Sequence, residues 1–168
     1  AESLIRQAIQ SFKEEKFELA YRQARQARAI AQRRNTKARE AHAANLMALS
    51  SMSIGRVAES ISLFKEAAAL SSEVDVDEVS KMQALALDRA GRLSRLIGRY
   101  EDALWCFEQC LQLYRKRGER TGELGALNSL SVIYSDTGDY SKAEQVLREL
   151  PGAAARGQRH GIDQALEQ

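Results

Sequence analysis

The side chains able to do chemistry in this chain are few and poorly spaced for it. His42 and His160 are the only histidines and lie far apart in sequence. Cys106 and Cys110 are the only cysteines. Four residues apart inside a helical pattern, they share one helix face and are poorly placed for a disulfide with each other. Two thiols alone do not make a zinc site, so they read as buried or half-buried thiols in an intracellular setting. The carboxylates of "SSEVDVDEVS" (71–80) lack the central glycine and distal glutamate of a calcium loop. Asp75 and Glu78 instead suit a capping pair for the helix that follows. The serines of "ALSSMS" (48–53) fit helix packing or a polar face better than nucleophilic attack. With no Gly-rich phosphate loop, metal cluster or nucleophile elbow, no enzyme activity, metal or cofactor is expected. The chemistry expected is recognition.

Arginine is the residue type that could carry recognition, and it comes in two groups. Arg22, Arg25, Arg28, Arg33 and Arg34 form a basic run. It reads as a solvated outer helix face, with phosphate contact as the alternative. The second group sits in a segment with two unlike sides. At 100° per residue, Ala86, Leu87, Ala90, Gly91, Leu93 and Ile97 share one side of a helix. Asp88, Arg89, Arg92, Arg95 and Arg99 share the other, within an arc of roughly 120°. The guanidinium fork pairs bidentately with carboxylate or phosphate, so this stripe could bind an acidic ligand. The competing reading is internal pairing, with Asp88 and carboxylates of adjacent helices neutralising it. The net charge of +2 argues against a dedicated nucleic-acid binder. No apolar run is long enough to cross a membrane, so a cytoplasmic protein is expected.

The elements that must position these residues are helices. The chain has 168 residues, a single proline, few aromatics and many good helix formers, which favours one helical domain. A turn recurs: "EEKFELA" at 14–20, "IGRVAES" at 54–60, "IGRYEDA" at 97–103 and "TGDYSKA" at 137–143. Phe17, Val57, Tyr100 and Tyr140 are thereby spaced by 40, 43 and 40 residues. Gly55, Gly98 and Gly138 are the C-caps expected where the backbone turns left-handed, and Glu15 takes that place in the first turn at some local cost. Beyond each turn a stripe repeats: Ala20, Ser60, Ala103 and Ala143; then Ala24, Phe64, Phe107 and Leu147; then Ala27, Ala67, Cys110 and Leu150. Before each turn stands a small residue, Ala8, Ala48, Gly91 or Ser131, which lets two helices approach closely. The pattern predicts helices at roughly 2–14, 18–34, 37–53, 57–71, 76–97, 100–117, 121–136 and 140–149.

The small residue, the Gly-Asp-Tyr-like turn and the Ala/aromatic/Ala stripe resemble tetratricopeptide repeats. "ALNSLSVIYSDTGDYSKAEQVL" (126–147) and "ALDRAGRLSRLIGRYEDALWCFEQCLQLY" (86–114) carry the resemblance best. The spacing near 40 resembles the longer-helix variants of bacterial regulators, kinesin light chains and polarity adaptors, and the Arg- and Ala-rich composition suggests a bacterial source. The resemblance implies an all-α, right-handed superhelix of four helix-turn-helix repeats, about 1–35, 36–75, 76–118 and 119–157. "RGQRHGIDQALEQ" (156–168) repeats "RGERTGELGALNS" (117–129), which suggests a partial fifth repeat over 158–168 and a parent chain that continues. A terminal capping helix is the alternative.

In such a solenoid the first helix of each repeat lines a concave wall. Asn45 and Asn128 stand at the same offset as Asp88, and asparagine can bond both the N–H and the C=O of an extended peptide. The groove residues expected are therefore Asn45, Asp88, Arg89, Arg92, Arg95 and Asn128. Ile9 and Leu46 occupy positions where the chaperone-tail carboxylate clamp of this fold needs asparagine, which argues against that ligand. Trp105 falls off the packing stripe, either packed between repeats or exposed to a partner. The expected function is a protein- or peptide-binding scaffold, the interaction or sensor module of a larger signalling or transcriptional regulator, with no nucleic-acid or membrane partner. The alternative is a structural module that drives self-association without a peptide ligand.

Overall fold

A computed structural model describes residues 1–74 and 77–149, leaving aside the side chains at 77–80. Eight helices lie among the described residues: α1 (Glu2–Lys13), α2 (Phe17–Arg33), α3 (Lys37–Ser53), α4 (Val57–Ser72), α5 (Asp77–Leu96), α6 (Tyr100–Arg117), α7 (Arg120–Asp136) and α8 (Tyr140–Arg148). The boundaries agree with the sequence periodicity to within a residue, and no strand occurs among the described residues. The Asp75–Glu78 capping pair, Leu150 and the segment 158–168 lie outside the described residues.

One device closes six of the turns between helices. The N–H two residues past the helix end returns to a carbonyl in the last turn: Lys16 to Ser11 (2.9 Å), Thr36 to Ala31 (3.0 Å), Arg56 to Ser51 (2.8 Å), Arg99 to Ser94 (2.8 Å), Glu119 to Tyr114 (2.9 Å) and Asp139 to Tyr134 (2.8 Å). The residue before that N–H takes positive φ, the geometry of a Schellman cap. Glycine fills it at 55, 98, 118 and 138, whereas Glu15 (φ 57°) and Asn35 (φ 49°) adopt it with a side chain. Side-chain capping contributes little at the helix starts, with Asp139, accepting from the Lys142 N–H at 3.2 Å, the one example given by the described caps.

The helices divide into two compact units, Ala1–Cys106 and Phe107 onward. In the first, α1 to α5 pack each on the next, and α1 meets α3 as α3 meets α5. The odd-numbered helices thus form one layer and the even-numbered helices another, the arrangement of stacked helix hairpins in an α-solenoid. The repeating small residues make that stacking close. Ala8, Ala20, Ala24, Ala27, Ala48, Ser60, Ala67 and Ala103 are all buried, as is Gly91. The Ser60 hydroxyl donates to the Ala48 carbonyl at 2.8 Å, fastening the second hairpin across its turn. Phe64 and Ala90 fill the centre between α4 and α5.

Even-layer neighbours are tied by polar contacts with a 38-residue separation, nearly the repeat length. Tyr21 Oη donates to Glu59 (2.5 Å), Arg56 pairs with Glu18 (2.8 Å), and Arg28 pairs with Glu66. Arg28 also lies 4.0 Å from Glu40, a buried carboxylate that accepts from Gln32 Nε2 at 2.9 Å. In the second unit, Phe107 and Cys110 of α6 and Leu127, Leu130 and Ile133 of α7 are buried, and α7 packs on α8. Gly122 permits this packing. A Cβ there would lie 2.3 Å from the Tyr114 ring, so the two helices touch where only hydrogen fits.

Candidate binding groove

Two turns of α1 place Glu2, Ile5, Arg6 and Ile9 on one side of the helix, because residues three and four apart share a face. They face the α2–α3 turn and the first turns of α3, leaving a cavity of about 720 Å³. Ile5, Ile9, Ala38 and Val74 supply its apolar surface, and Arg6, Lys37, Arg39 and His42 its polar rim. Ile9 is 39% exposed. Glu2 pairs with Arg6 (2.5 Å) and Arg39 (3.3 Å), joining α1 and α3 over the cavity rim, and Lys37 lies 3.5 Å from Glu73. An apolar floor with a few charged groups at its edge is the usual build of a recognition pocket.

Three residues beyond His42, on the adjoining strip of α3, stands Asn45. Its Oδ1 is buried and has no hydrogen-bond partner. A buried amide oxygen without a donor costs roughly 1–3 kcal/mol.

The α5 stripe is divided by its surroundings. Asp88 accepts from Arg92 Nε at 2.8 Å, an i,i+4 pair. Arg92 and Arg95 are exposed. Arg89 is half-buried, its guanidinium 5.8 Å from the centre of the buried Phe64 ring on α4. Burial lowers its pKa, and the Asp88 carboxylate opposes that shift. The structure thus sets Asp88, Arg89, Arg92 and Arg95 on one helix, next to the α3 that carries Asn45. Asn128 is exposed on α7, in the second unit, with its carbonyl accepting from Ser131 Oγ at 2.8 Å.

Trp105 is 45% exposed, and the Lys65 ammonium stands 4.9 Å from the centre of its ring while pairing with Asp102 at 2.8 Å. Cys106 and Cys110 are buried thiols not joined in a disulfide, as their spacing predicts. Burial pushes the Cys106 thiol up from 9.0 to about 11, with Lys65 opposing. Among the described residues no three His, Cys, Asp or Glu side chains gather as a metal site, and no helix is long and apolar enough to cross a membrane.

The α1–α3 cavity is the feature that sequence reasoning missed. Its signal was present in Ile5 and Ile9, one turn apart on a helix whose buried residues are only Ala8 and Ser11.

Stacked helix hairpins with Schellman turns and a small-residue seam define a tetratricopeptide-type repeat fold. Residues 82–150 match the family model described as Tetratricopeptide repeat. No curated protein matches the chain in sequence. Among solved structures, aspartyl phosphate phosphatase F from Bacillus subtilis is similar at 17% identity, with a TM-score of 0.69 over 95% of this chain and 40% of that one. The nearly identical TPR-like repeats of a Podosopora anserina kinesin light chain are similar at 17% identity, with a TM-score of 0.64 over 99% and 91%. The Rap conjugation gene regulator of the plasmid pLS20, in complex with the Phr* peptide, is similar at 15% identity, with a TM-score of 0.57 over 88% and 40%. The chain spans about two fifths of the length of the phosphatase and of the Rap regulator. At these identities the likeness is one of fold.

Proposed function

We propose that this chain is a protein- or peptide-binding scaffold that acts by recognition rather than catalysis. The observation that carries the reading is the open apolar cavity between α1 and α3. An extended segment laid along the odd-helix layer would put an apolar side chain against Ile5 and Ile9. Its backbone would pass the half-buried Asn45, an amide side chain of the kind that bonds peptide units. The exposed Arg92 and Arg95 favour acidic side chains further along, with Arg89 and Asp88 positioning them, and Asn128 offers its amide separately within the second unit. The Rap regulator, which has the same fold, is in complex with a peptide. On that basis the chain is proposed as the interaction or sensor module of a larger cytoplasmic regulator, of bacterial origin by its Arg- and Ala-rich composition.

Fluorescence anisotropy with a panel of labelled extended peptides, acidic and neutral, tests the proposal. Ile9→Arg should weaken the best binder by about tenfold or more, since a buried apolar anchor is lost to a charge. Arg92→Ala should weaken acidic peptides alone, and their affinity should fall as salt rises. Melting temperatures of both variants should stay near wild type. Binding that ignores Ile9 places the ligand elsewhere. A chain that binds no peptide and shows concentration-dependent dimers by light scattering is a self-association module instead.

A further inference from the structure

A group of arginines without an ion pair lies along α2 and just past its end, away from the cavity. Between Glu18 and Glu40 the chain carries seven Arg or Lys residues and no carboxylate. Three of the seven are paired: Arg28 with Glu66, Lys37 with Glu73 and Arg39 with Glu2. Arg22, Arg25, Arg33 and Arg34 are exposed, and none makes a side-chain hydrogen bond or ion pair among the described residues. Among the other described residues, Lys13, Arg99 and Lys116 also lack an ion pair and stand apart from one another, and Arg89 lies over the Phe64 ring beside Asp88. At 100° per residue, Arg22, Arg25 and Arg33 fall within an arc of roughly 80°, forming one straight row about 16 Å long. Ala29 lies in the same arc, exposed and small.

From this row we infer that the outer face of α2 docks an acidic helix of a partner protein. A helix with carboxylates every third or fourth residue presents a straight row of matching length and opposite charge. Ala29 leaves room for its backbone to come close. The row contains no large apolar side chain to enter a bilayer, which an interfacial helix needs. A nucleic-acid duplex is broader than one helix face. It would also meet Glu18, which lies in the same arc one turn before Arg22 and pairs with Arg56, and Glu59 and Glu66 of α4, which bind Tyr21 and Arg28. The surface is separate from the α1–α3 cavity, so its occupant and the groove ligand can be bound together.

The test uses a synthetic helical peptide of alanine with glutamates along one face, titrated into the ¹⁵N-labelled chain at low salt. The arginine Nε–H resonances of Arg22, Arg25 and Arg33 should move together and return as salt rises. The variant R22E/R25E/R33E should bind roughly tenfold or more weakly, with an unchanged circular dichroism spectrum. It should gain affinity for the same peptide with lysine in place of glutamate. Arg25→Ala, which adds no charge, carries the same readout should the triple reversal unfold. Arg99→Glu should bind like wild type, as should Ile9→Arg, so failure of the groove leaves this result standing. Motionless Arg22, Arg25 and Arg33 signals, equal weakening by Arg99→Glu, or displacement of the peptide by duplex DNA or anionic vesicles would overturn the inference.

Discussion

Glu15 carries a backbone conformation that its counterparts in later turns assign to glycine. Its φ of 57° matches the positive φ of Gly55, Gly98 and Gly138, and its side chain is exposed. An L-residue pays about 1–2 kcal/mol there, of which glycine's greater freedom when unfolded returns about 0.5–1 kcal/mol. Glu15→Gly should therefore stabilise the chain by about 0.5–1 kcal/mol in urea titrations, and Gly138→Ala should destabilise it by a similar amount. The odd residue was legible because four aligned turns expose it. The state of Cys106 was legible only as burial, since its environment comes from Lys65 on another helix. The unfolded thiol ionises near 9.0, while the folded thiol keeps its proton to about 11. Rising pH thus favours the unfolded chain across that window. The contribution is fully present below pH 9 and lost between pH 9 and 11. Cys106→Ala should show a shallower loss of stability over that range than wild type. A pair of curves with equal slopes would mean that the thiol reaches water.

At the scale of the element, periodicity and turn glycines were enough to locate all eight helices, because six of them end by the same local closure. What periodicity could not supply is the fit between neighbouring helices. Gly122 is an example: in sequence it is a weak helix former near the start of α7, while in the structure it is the point where α7 lies against the Tyr114 ring of α6. Gly→Ala in an exposed helix interior gains about 1 kcal/mol. Gly122→Ala should reverse that sign and cost roughly 1–3 kcal/mol, because the ring or the helix must move. Tyr114→Leu should remove most of the penalty, so a double-mutant cycle would show strong coupling between the two sites. Additive effects would show that the ring turns aside freely.

Across the whole molecule, the candidate site was legible in its types and only partly in its partners. Asp88 and Arg92 pair at i,i+4, a contact sequence spacing allows. The pairing of Arg28 with Glu66 spans 38 residues and needs the repeat stacking to be known. The arginines that sequence treats alike therefore end differently: Arg28 is held between helices, and Arg22, Arg25 and Arg33 face solvent. The same stacking governs how damage spreads. Helix contacts within each unit run chiefly between neighbours in the chain. Stability in such a solenoid is close to a sum of intrinsic and nearest-neighbour contributions, so a local loss stays local. Hydrogen exchange should show this directly. Gly122→Ala should speed exchange in α7 and α8 well before it affects α2 and α3, whereas Arg28→Ala, which strips a counter-charge from the buried Glu40, should do the reverse. Trp105 fluorescence, from the sole tryptophan, reports the first unit and should follow Arg28→Ala in urea more closely than Gly122→Ala. Equal acceleration in all helices by either substitution would instead mark the chain as one all-or-none folding unit.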